Sequence, residues 1–129
     1  MFDIQGVIVK ESSFTVDETI GRLVSFLQSK GLTIYARINQ QAELQSAGLQ
    51  IGPLEFILFG NPRAGGAIMI ENPVAALDLP LKIISWQDEQ KKVWLAYNEG
   101  HYIQDRYRLS AGVSAPLNLD LLVAAALSN

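Results

Sequence analysis

Apolar positions change their spacing along the chain, and each change marks an element. Val16, Ile20, Leu23, Val24 and Leu27 recur at helical spacing. Thr15 and Glu18 stand just ahead of them at the capping-box spacing, in which each side chain satisfies the other residue's orphan backbone N–H. Gly31 offers the left-handed conformation that closes such a helix. Before it, "FDIQGVIVKE" predicts a first strand, loosened in its middle by Gly6. After it, "LTIYARI" alternates: Leu32, Ile34, Ala36 and Ile38 are expected on one face, Thr33, Tyr35 and Arg37 on the other. Asn39 and Gly48 frame a short helix, and "PLEFILF" is apolar on nearly both faces, as a central strand would be.

Beyond Phe59 the pattern is broken by Gly and Pro. "ENPVAALDLP" predicts one helical turn, capped by Asn72, opened by Pro73 and stopped before Pro80. "LKIISWQD" and "KVWLAYN" predict a hairpin, with Asp88 and Glu89 in its solvated turn. "GHYIQDRYRL" predicts a short helix with Tyr102, Ile103 and Arg106 on one side. Ser114 and Pro116 open a last helix that buries Leu119, Leu122, Val123 and Ala126. Consecutive late strands without long crossovers imply an α+β fold: a mostly antiparallel sheet of about five strands covered by helices.

The 129 residues suit a single domain with its own core, and 49% of them are hydrophobic. A net charge of −3 with mixed signs lacks the basic patch that nucleic acid requires. The chain contains no cysteine, which excludes disulfides and thiolate chemistry and fits a reducing cytoplasm. "MFDIQG" lacks the basic start of a signal peptide, and "LLVAAAL" is far shorter than the roughly 20 residues of a membrane span.

The glycine-rich stretch "FGNPRAGGA" invites comparison with phosphate-binding loops. Gly60 and Gly65 have P-loop spacing, but Gly66 and Ala67 stand where Lys and Ser or Thr are needed to neutralise phosphate and bind magnesium. "AIMIE" reads as extended, so the expectation is a turn of positive-φ glycines without a helix N-terminus to face an anion. His101 is the sole histidine and reads as a surface residue at a helix start. No metal-ligand or serine-nucleophile pattern is present, and no cofactor is expected. Trp86, Trp94, Tyr97, Tyr102 and Tyr107 are read as core or interface aromatics.

Taken in order, "LFGNP", "LDLPLKI", "VWLAYN" and "RYRL" resemble the family called domain of unknown function 302. The resemblance implies a fold similar to the TATA-box-binding protein: strand, helix, a curved antiparallel sheet, then a closing helix, β-α-β(4)-α with short extra helices. It also implies single domains, often paired as homodimers, and brings no established activity. Asn61 and Pro62 match the family's Gly-Asn-Pro loop, Asp78 to Pro80 its Asp-Leu-Pro, and Lys82, Tyr97 and Arg106 its later polar positions. The chain departs at Gly66 and Ala67, where the family has something closer to Thr-Pro.

Asn61, Asp78, Lys82, Tyr97 and Arg106 are polar groups on otherwise apolar segments, and such groups must find partners. The expectation is that they converge on one rim of the sheet. There they bind a small, anionic ligand, with Lys82 and Arg106 as counter-charges. The alternatives are an enzyme using Asp78 as base with Tyr97 or Lys82 as acid, and a structural dimerisation domain with Tyr35 and Arg37 in its seam.

Overall fold

The computed structural model describes residues 3–128, so Phe2 of the expected first strand lies outside the described residues. Five strands are formed by Val7–Ser12 (β1), Thr33–Asn39 (β2), Leu54–Gly60 (β3), Leu81–Gln87 (β4) and Val93–Asn98 (β5). Every neighbouring pair is antiparallel, in the order β1-β5-β4-β3-β2. The helices are Val16–Ser29 (α1), Gln40–Ser46 (α2), Pro62–Glu71 (α3), Gly100–Arg106 (α4), Ala111–Ser114 (α5) and Asp120–Ala126 (α6). Tight 3-10 turns occupy Pro73–Asp78 and Ala115–Leu117. The mixed α+β architecture matches the reading of the sequence.

One sheet face carries Ile57, Phe59, Ile83, Leu95 and Tyr97 and is packed against Ile20, Leu23 and Leu27 of α1, with Leu117 and Val123 closing the core. The stripe of α1 is buried at Val16, Ile20, Leu23 and Leu27 and half-buried at Val24, and the Thr15 hydroxyl accepts from the Glu18 amide at 3.1 Å. The other sheet face carries Val9, Phe56, Leu58, Ile84, Trp86 and Ala96, of which Ala96 alone is buried. The hairpin turn is built rather than merely solvated. Asp88 accepts from the amides of Gln90 and Lys92 and from the Trp94 indole, each at 2.9 Å. Those bonds, the indole's foremost, hold its carboxyl below the ordinary value.

Four local expectations are corrected. First, Gly6 does not loosen a strand; it precedes β1 at φ +78, and a Cβ there would lie 2.3 Å from the Tyr102 ring. Second, β2 does not keep one parity. A bulge between Ile34 and Ala36 sets Ile34 opposite Phe59 and Arg37 opposite Ile57, both on the helix-packed face, while Ala36 and Ile38 pair with Leu58 and Phe56 on the other. Third, within α4 it is Ile103 that is buried, with Tyr107 one turn on, while Tyr102 and Arg106 share the exposed side. Fourth, the last helix is split. Pro116 lacks a donor and Asn118 accepts from the Asp120 amide at 3.1 Å, so α6 restarts after Leu119.

Candidate functional site

The glycine stretch is a helix. Gly60 ends β3, the Asn61 carboxamide accepts from the amides of Arg63 and Ala64 at 2.9 and 3.4 Å, and Pro62 takes the first helical position of α3. The expected turn of positive-φ glycines is therefore wrong; among glycines the positive φ values belong to Gly6, Gly31 and Gly48. An N-cap followed by Pro outweighed the poor helix propensity of Gly65 and Gly66. The first-turn donors are spent on Asn61, because Gly65 also donates to its backbone carbonyl at 2.8 Å.

From α3 the chain turns through Asn72, whose carboxamide accepts from the Val74 amide at 3.1 Å and donates to the Tyr107 carbonyl at 2.8 Å. That clamp sets Asp78 beside α4. The Asp78 carboxylate accepts from Arg106 at 3.0 Å and from the Tyr107 hydroxyl at 2.5 Å. Burial, followed by the bond to Asp78, pushes the Tyr107 phenol above its ordinary value. The Leu79–Pro80 peptide bond, next along the chain, is cis.

Asp78 and Lys82 line one cleft of about 320 Å³, with Asn98 and the side chains of Leu58, Leu77 and Leu119. The Lys82 ammonium lies 4.1 Å from the centroid of the Phe56 ring and has no carboxylate partner among the described residues. A second cavity, of about 240 Å³, opens under Asn61 and α3; Leu79, Pro80 and Leu81 wall both spaces.

Of the five residues expected to converge, Asp78 and Arg106 touch and Lys82 shares a cleft with Asp78. Asn61 lines the other cavity. Tyr97 points into the core opposite Ile83, and its hydroxyl donates to Asp120 at 2.6 Å. Burial first, then that bond, raises the Tyr97 phenol far above its ordinary value. Asn98 and Asp120 were not singled out, and Tyr107 was read as a core or interface aromatic without its bond to Asp78. Parity along β5 could have placed Tyr97 with Leu95 and Val93 on the core face, and hence Asn98 opposite to it. Arg37 bonds within the chain to Asp17 and Glu55, each at 3.0 Å, while Tyr35 is exposed.

Tyr97 makes a pH prediction. Its proton is held more tightly in the folded chain, so the associated stability is intact below the unfolded value near pH 10 and falls as pH rises through the shifted one. Urea unfolding between about pH 10 and pH 12 is expected to show a loss approaching about 1.4 kcal/mol per unit from this group. Tyr97→Phe should remove that component of the slope; an unchanged slope would contradict the buried, Asp120-bonded hydroxyl.

Fold and cleft together define an α+β domain with a five-stranded antiparallel sheet, helices on one face and a polar cleft at the sheet's rim. The chain belongs to the family Domain of unknown function DUF302, whose model matches residues 8–120. It superposes on the crystal structure of an uncharacterized conserved DUF302 protein from Bacillus stearothermophilus with a TM-score of 0.78, at 19% identity, over 96% of this chain and 97% of that one. It is also 34% identical over 118 residues to curated proteins named fluoride-specific ion channel FluC 1, from Brucella suis and Brucella abortus. The match covers 92% of this chain but 46% and 43% of those relatives, so the chain spans less than half their length. Among the described residues no helix is long and apolar enough to cross a membrane.

Proposed function

We propose that this chain is a small-molecule binding module whose ligand is a carboxylate with an apolar body, held in the cleft between Asp78 and Lys82. The observation that carries the reading is the unequal treatment of the two cations first expected to act together. Arg106 is neutralised by Asp78 at 3.0 Å, whereas Lys82 has no carboxylate partner among the described residues and lies beside leucine walls. Lys82 is exposed, with its ammonium over the Phe56 ring, so an incoming carboxylate can reach it without displacing an ion-pair partner. Asp78 serves to fix the cleft's shape through Arg106 and Tyr107, and Lys82 supplies the counter-charge.

The catalytic alternative loses Tyr97 as its acid and is left with Lys82 beside Asp78. Tyr97 is shifted away from neutrality and donates to Asp120, while a general acid must be tuned toward the working pH. The module is proposed to act as a homodimer, paired through the half-buried apolar side chains of Phe56, Ile84 and Trp86 on the sheet face opposite the helix-packed core. The channel activity in the relatives' names is not carried over, because the chain matches less than half of each.

The test is a thermal shift with benzoate, beside Lys82→Ala. A ligand that binds only the folded state stabilises it by about 2.7 kcal/mol at a hundredfold excess over Kd. That gain is expected in the parent and absent in Lys82→Ala. Equal stabilisation of both proteins would remove Lys82 from the site. Sedimentation should show a dimer that Ile84→Asp converts to monomer, and a monomeric parent at high micromolar concentration would refute the pairing.

A further inference from the structure

The cavity under α3 lies on the opposite side of the Leu79–Leu81 wall from Lys82, and its chemistry is different. Its lining contains no charged residue. Phe59, Ile68, Leu81 and Leu117 are buried and form its floor, while the half-exposed Tyr35 and Met69 stand at its mouth. Apolar walls left facing solvent gain free energy when something covers them. Here the chain holds the space open. Gly65 lines it from within α3, although glycine is a poor helix former, and a Cβ at that position would come no nearer than 3.9 Å to another atom, the Met69 Cε. Residue 65 lines the space, and glycine there keeps a side chain out of it.

We propose that this cavity is a second binding site, for an uncharged apolar molecule about the size of a bicyclic aromatic ring. The size follows from the space: an enclosed apolar cavity of about 150 Å³ takes benzene, and this cavity, open at its mouth, offers about 240 Å³. The absence of charged lining excludes a carboxylate or an amine, because neither would find a counter-charge. The Asn61 carboxamide nitrogen, which has no hydrogen-bond partner among the described residues, and the Tyr35 hydroxyl are the polar groups available to orient the ligand. This site is independent of the Lys82 cleft and stands or falls without it.

The test uses protein labelled with 13C at the methionine methyls. The chain has two methionines, so the spectrum is simple. Titration with indole is expected to move the Met69 methyl along a saturable curve, while benzoate leaves it in place. Gly65→Leu should fill the space and weaken indole by about tenfold or more. Gly66→Leu makes an equivalent change one residue on, where an added Cβ meets nothing within 4 Å, and should leave the affinity unchanged. A linear, unsaturable shift, equal affinity in Gly65→Leu, or a response to benzoate matching that to indole would overturn the proposal. If Gly65→Leu does not fold, the parent's indole and benzoate titrations decide the question.

Discussion

Phe59→Ala is expected to destabilise the fold by about 3–5 kcal/mol, the largest effect of any single substitution considered for this chain. Phe59 is fully buried on β3, sits opposite Ile34 on one side and Leu81 on the other, and floors the apolar cavity. Truncation removes an aromatic ring at the point where two neighbouring strands and α3 meet, and the adjoining cavity leaves fewer atoms able to collapse into the gap. Domains of this size are stable by roughly 5–15 kcal/mol, so the variant would approach its unfolding threshold. Urea denaturation followed by far-ultraviolet dichroism reads the loss directly. A cost below about 1 kcal/mol would mean that Phe59 is not a core residue.

Asp78→Ala is the second large effect, expected at about 2 kcal/mol, and the magnitudes decide its origin. The Arg106 pair is half exposed, and ion pairs of that kind contribute about 0–1 kcal/mol. The Tyr107 ring is buried, and stranding its hydroxyl costs about 1–3 kcal/mol. Tyr107 should therefore dominate. Arg106→Ala alone is expected to cost less than about 1 kcal/mol, and in a Tyr107→Phe background Asp78→Ala should lose most of its penalty. The same cost with and without the hydroxyl would show that Asp78 is not what Tyr107 needs.

The helix stripe from Val16 to Leu27, the hairpin from Leu81 to Asn98 and the antiparallel order of late strands were legible because each rests on a local period. The bulge at Tyr35 was not, since a single extra residue leaves the alternation of residue types intact while it turns Arg37 toward Asp17 and Glu55. The stretch after Gly60 misled for the opposite reason. Its composition argues against a helix, and the capping chemistry of Asn61 and Pro62 overrides it. Of the site, the contact between Asp78 and Arg106 could be anticipated from their polarity in apolar segments. The cleft could not, because it depends on how the turn after α3 returns beside β4, a long-range arrangement that no local spacing encodes.

Amide chemical shifts under benzoate titration test most directly whether the rim cleft is where this fold takes its ligand. The expected result is a saturable displacement of the amides of Leu77, Asp78, Leu79, Leu81, Lys82 and Asn98 that disappears in Lys82→Ala. Displacements centred on other residues, or the same displacements in Lys82→Ala, would contradict it.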